Sequence, residues 1–186
     1  AALIFTNLQC LRYGGNAAVA CYAVISYIVF PVQYFLTGIG EGVQPLISFY
    51  HGAKKEMEVR AVKKIAYTAE IIFGMTVTIC MIPYIGGWFG LSAESKQCFS
   101  SGMLISSFAF LLTGTAKLNV SCLNAVMQTK KAVFMTYIES LAVSPICLFL
   151  LPAVWDIRGI WLALPVTAGI MTGIYGLIRK DRKNEE

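Results

Sequence analysis

The 186-residue chain is 57% hydrophobic and only 13% charged, with a net charge of +5 and a mean hydropathy of +0.67. A soluble domain holds about 25% charge, so the composition excludes an ordinary soluble protein and predicts an all-α integral membrane protein. The basic residues are segregated loop by loop, which reports membrane topology and argues against nucleic acid as a partner.

Residues 1–13 are short and apolar and end at Arg12-Tyr13-Gly14-Gly15-Asn16, a turn signal. They read as the outer end of a helix whose start is missing. The opening AALIFTNLQC has no initiator Met and no basic stretch ahead of an apolar core. It therefore reads as a cut through a longer protein and not as a signal peptide.

The next segment, 17–50, exceeds the roughly 20 residues that a span needs. Pro31, Gly38 and Pro45 offer places to bend it. The loop 52–64 holds Lys54, Lys55, Arg60, Lys63 and Lys64 against Glu56 and Glu58. Further spans follow at 65–87, 102–127, 132–155 and 160–178, before a charged tail at 179–186. The expectation is a multi-pass helical bundle of five full spans plus the end of one. No alternation of about ten residues recurs, which argues against a transmembrane barrel.

Lysine and arginine set the orientation. Five lie in 52–64, two at Lys130-Lys131 and four in the tail, against the single residues Arg12, Lys96 and Arg158 on the other side. The rich side is expected in the cytoplasm together with the C-terminus. Trp88 and Trp155 then fall at the outer interface. Six cysteines are scattered without C-x-x-C spacing, which suits small hydrophobes better than a disulfide framework or a metal site.

Polar groups inside the spans are costly in lipid and mark candidate pathways. By helical rise, Lys117 lies roughly 20 Å above the cytoplasmic edge, Glu41 roughly 16 Å and Glu139 about 12 Å. Glu41 is the expected partner of Lys117, with Glu139 as the alternative. Glu70, six residues from Lys64, is expected near the interface, snorkelling to water or pairing with Lys63. Gln33, Gln44, Asn119 and Asn124 can bond across helices or contact substrate. The glycines at 74, 114, 169 and 173 are expected to permit close helix contact, and His51 is expected in solvent. Phe30, Tyr34, Phe35, Phe108, Phe110 and Met127 are candidates for an aromatic and methionine wall that attracts cations.

The stretch Gly38 to Lys55, GIGEGVQPLISFYHGAKK, carries a resemblance. Gly38, Gly40, Gly42, Gln44-Pro45, Ser48 and Gly52-Ala53-Lys54 resemble the signature near the cytoplasmic end of the second helix in the C-terminal half of multidrug and toxic compound extrusion (MATE) transporters. The likeness is closest to the bacterial drug-efflux branch. It implies the C-terminal six-helix lobe of a twelve-helix protein, from the end of helix seven through helix twelve, with the N-terminal six-helix half absent. It further implies a secondary active antiporter that exports small organic cations and other xenobiotics in exchange for H⁺ or Na⁺, by alternating access in the plasma membrane. No cofactor beyond the coupling ion is expected, and the lipid bilayer is the surrounding partner.

Glu41, Gln44, Lys117, Asn119, Glu139 and Gln33 are the candidate pathway residues, and Gly38, Gly40, Gly42, Pro45 and Gly52 the structural motif. The family's tenth-helix carboxylate falls here at Ala116 or Lys117, a departure that weakens the case for Na⁺ in this half. Three alternatives stand beside this reading. A lipid-linked oligosaccharide flippase of a related superfamily would need a strongly cationic cavity, and Lys117 is the one intramembrane base. An intramembrane enzyme lacks support from any H-E-x-x-H or G-x-S-x-G motif. An inert fragment is the last, because half a cavity cannot alternate access.

Overall fold

The computed structural model describes the backbone of residues 2–88 and 93–185, and the side chains of 3–79, 99, 102–106 and 109–178. The expectations resting on Trp88, Lys96, Phe108, the connection 90–101 and the tail charges lie outside the described side chains. The described backbone is helical in five elements: α1 (Ala2–Gly52), α2 (Glu56–Trp88), α3 (Ala93–Ala125), α4 (Thr129–Ile138) and α5 (Ser144–Glu185). A π-helical turn, Glu139–Val143, joins α4 to α5.

Two of these helices are each broken into arms. In α1 the break is Gly15, at φ 62° and ψ −161°, a backbone region open essentially to glycine. In α5 it is Trp155 and Asp156, the latter at φ 48° and ψ −135°. These are the turns expected around Gly14-Gly15 and Asp156-Ile157-Arg158-Gly159. They also meet, because a methyl placed on Gly14 would lie 3.0 Å from Ile157 Cδ1. At Gly159 an added methyl would run into the carbonyl of Leu151 on the other arm, so the hairpin closes only over glycine.

At the opposite end, Ile47, Val59, Ala66, Leu118, Cys122 and Ala125 form one buried cluster that ties together the α1–α2 and α3–α4 connections. The fold therefore puts Arg12 and Arg158 at one end and Lys54, Lys55, Lys130 and Lys131 at the other. Among the described residues, three stretches are long and apolar enough to cross a membrane: Leu3–Gly52, Gly102–Ala125 and Thr129–Ile178. The breaks divide the first and the last into two arms each. The span expected at 65–87 lies in α2, whose side chains beyond Ile79 are outside the described set.

Helix α3 is the hub and touches α1, α2, α4 and α5. Lipid tails are as apolar as leucine, so helices associate there by close packing, which small residues allow. A methyl on Gly102 would lie 2.8 Å from the Trp161 ring, one on Gly114 3.2 Å from Leu36, and one on Gly74 3.2 Å from Leu111. Gly169 meets only Leu112 at 4.0 Å, and Gly173 has open space around it. On α1 the residues facing the hub recur at Cys21, Ile25, Ile28, Val32 and Leu36, all buried, against Met103 and Phe110 of α3 and Trp161 of α5. That spacing is one stripe of a 3.6-residue helix.

A cavity walled by Glu139

Between α1 and the two arms of α5 lies a cavity of about 380 Å³. Helix α1 contributes Tyr22, Ser26, Phe30 and Gln33, α3 contributes Ser106, and α5 contributes Ser144, Leu148, Trp161, Leu164 and Thr167. Pro31 lies inside α1 between the lining residues Phe30 and Gln33, with its own ring exposed. Having no N–H, it releases a backbone carbonyl one turn earlier on this wall. Tyr22 and Trp161 face each other with ring centroids 6.1 Å apart.

One carboxylate enters this wall. Glu139 is the first residue of the π-helical turn and lines the cavity. A π turn inserts a residue into the helix, so the faces before and after it are offset by about 100°. Glu139 and Ser144 thereby reach the same space from either side of the turn. Lys117 of α3 holds the carboxylate from outside the wall, donating from Nζ to Oε1 at 2.9 Å. The two side chains keep 33% and 21% of their exposure, so the pair is not sealed within this lobe.

The six candidate pathway residues divide into groups. Gln33 and Glu139 line the cavity and Lys117 stands behind it. Asn119 is buried and accepts a hydrogen bond from the Tyr67 hydroxyl, which links α2 to α3. Glu41 is exposed and Gln44 half-buried, away from the cavity. The expected Glu41 to Lys117 pairing gives way to the alternative, Glu139. The cause is rotation, because Gly40 packs on Ser121 and Leu118 of α3 and the next residue is turned about 100° from that contact. Of the motif glycines, only Gly40 has close neighbours, and Gly38, Gly42 and Gly52 have none within 4 Å.

Glu70 overturns its expectation more sharply. It is 1% exposed and packs beside Gly114, where an added methyl would lie 3.3 Å from its Oε2. Neither carboxyl oxygen has a hydrogen-bond partner among the described residues. That face of α2 packs against α3 at Gly114, so Glu70 neither snorkels nor meets Lys63. His51 pairs with the exposed Glu56 at 3.3 Å. Of the aromatic candidates Phe30 lines the cavity, Phe110 is core, Phe35 stacks on Phe73 at 4.3 Å, and Tyr34 and Met127 are exposed. Tyr22 and Trp161 were not among those candidates, and no spacing on α1 or α5 singled them out. Their meeting depends on how the two helices cross.

A family model described as MatE matches residues 2–152, most of the chain. The chain belongs to the MATE family. Its curated relatives include the multidrug export protein MepA of Staphylococcus aureus (strain MSSA476), 26% identical over 156 residues, covering 81% of this chain and 34% of MepA. MepA of Staphylococcus haemolyticus (strain JCSC1435) is 24% identical over 159 residues, covering 84% and 35%. The MATE chain thus spans about a third of the length of these relatives.

Two solved structures share the fold. An outward-facing multidrug resistance MATE transporter of the MOP superfamily superposes with a TM-score of 0.85 at 15% identity, over 97% of this chain and 42% of that one. The Vibrio cholerae MATE transporter VcmN gives 0.84 at 20%, over 100% and 43%. The fold is therefore that of MATE helical membrane bundles. The family and these relatives are transporters, which sets the intramembrane-enzyme alternative aside.

Proposed function

We propose that this chain is the C-terminal lobe of a MATE antiporter that exports small organic cations across the plasma membrane in exchange for H⁺ or Na⁺. The observation that carries the reading is Glu139, a carboxylate in the wall of a mostly apolar cavity that also holds the Tyr22 and Trp161 rings. Such a space attracts a flat organic cation twice, through ring faces and through the carboxylate. Its size suits a small ligand. Gln33 and the serines along the wall supply orienting hydrogen bonds.

In this reading a second six-helix lobe completes the transporter, and the two rock about the shared space. Glu41 and Gln44, turned away from the cavity within this lobe, face that shared space. The basic end carrying Lys54, Lys55, Lys130 and Lys131 lies in the cytoplasm together with the tail. Ala116 and Lys117 occupy the place of the tenth-helix carboxylate, which leaves Glu139 as the cavity's acid and favours the proton as coupling ion. A flippase for pyrophosphate lipids is ranked below, because the wall carries an acid and the neighbouring ammonium is already neutralised.

Ethidium efflux from cells expressing the protein tests the proposal. Glu139→Gln is expected to abolish efflux while membrane insertion is retained. Unchanged efflux in that variant, or binding of a lipid pyrophosphate in preference to ethidium, overturns it.

A further inference from the structure

The ion pair at the cavity is asymmetric. Glu139 is part of the wall, whereas Lys117 is not, yet the lysine side chain remains one-third exposed. A single Nζ to Oε1 contact at 2.9 Å holds the two together. A lysine meets a carboxylate as a point charge on a flexible four-carbon stem, without the two-point grip of a guanidinium. An uncompensated carboxylate at this depth in a membrane is costly, so the empty cavity needs a counter-ion. Lys117 supplies it, and because its side chain is one-third exposed at the surface of this lobe, its flexible stem has room to swing aside once released.

We propose that Lys117 is the resident counter-ion of the cavity, and that a monovalent organic cation binds Glu139 by exchange with the Lys117 ammonium. This deepens the reading of the cavity as a cation site and rests on it. The exchange keeps one cation beside the Glu139 carboxylate at every stage. It also provides release, because the tethered ammonium competes for the carboxylate as the substrate leaves and resets the empty site. A cavity with Glu139 alone would bind such cations more tightly and discharge them more slowly.

Fluorescence titration of the purified chain with ethidium separates the possibilities. Lys117→Met removes the competitor and is expected to tighten ethidium binding by at least about fivefold, the lower range of couplings between two binding events. Lys117→Arg keeps the ion pair and the fold but grips both carboxyl oxygens, and is expected to weaken binding by a similar factor. Glu139→Gln is expected to lose binding in either background. Ethidium affinity that is unchanged or lower in Lys117→Met with helicity retained, or unchanged in Lys117→Arg, overturns the exchange while leaving the cation site standing. Failure of wild type and Lys117→Met alike to bind ethidium overturns the cation site itself.

Discussion

Glu70 and Glu139 are both carboxyl residues on helices of the bundle, and the fold treats them oppositely. Glu139 is paired and partly exposed, whereas Glu70 is sealed beside Gly114 with no partner for either oxygen among the described residues. Burying a polar group without a hydrogen bond costs about 1–3 kcal/mol. Glu70→Leu, of similar volume, is therefore expected to raise stability by about 1 kcal/mol after some loss of fit, read as a higher midpoint in thermal or denaturant unfolding in detergent. A lower midpoint would mean that the carboxyl has a stabilising partner. The sequence allowed these residues to be ranked in depth, since rise per residue is fixed. It could not say which way each side chain points, because rotation is decided by the neighbour against which the helix packs. Glu41 and Glu70 were misplaced for that one reason.

The two helix breaks and the π turn carry the element-scale argument. Gly15 and Asp156 adopt nearly the same backbone conformation at two turns that touch, yet only one of them is glycine. A residue with a Cβ held in that region costs about 1–3 kcal/mol. Gly15→Ala is expected to destabilise by about that amount and Asp156→Gly to stabilise by about 1 kcal/mol, measured as opposite shifts in unfolding midpoint. Shifts of the same sign would contradict this account.

Deleting Leu141, an exposed residue of the π turn, restores the α register and turns Glu139 out of the wall by about 100°. Ethidium binding is expected to be lost with helicity unchanged. The breaks were legible in the sequence as Gly-Gly and Asp-Ile-Arg-Gly between apolar runs. The π turn was not, since Glu-Ser-Leu-Ala-Val has no composition that distinguishes it from α-helix.

At the scale of the whole molecule, segregated charge, long apolar segments and one glycine-rich signature were enough to place the chain among helical membrane transporters. Those properties depend on solvation, and solvation is written locally. The cavity is not local, because it is bounded by residues more than a hundred positions apart, and Tyr22 meets Trp161 only after α3 has fixed the crossing of α1 and α5. Cysteine labelling at position 144, which lines the cavity beside Glu139, tests the central claim most directly. With the native cysteines changed to serine and Glu139 kept, Ser144→Cys, in the same cavity wall, is expected to react with a membrane-impermeant cationic thiol reagent and to be protected by ethidium, while a cysteine at exposed Lys131 reacts without protection. A cysteine at 144 that does not react, or that ethidium fails to protect, would contradict a cation cavity walled by Glu139.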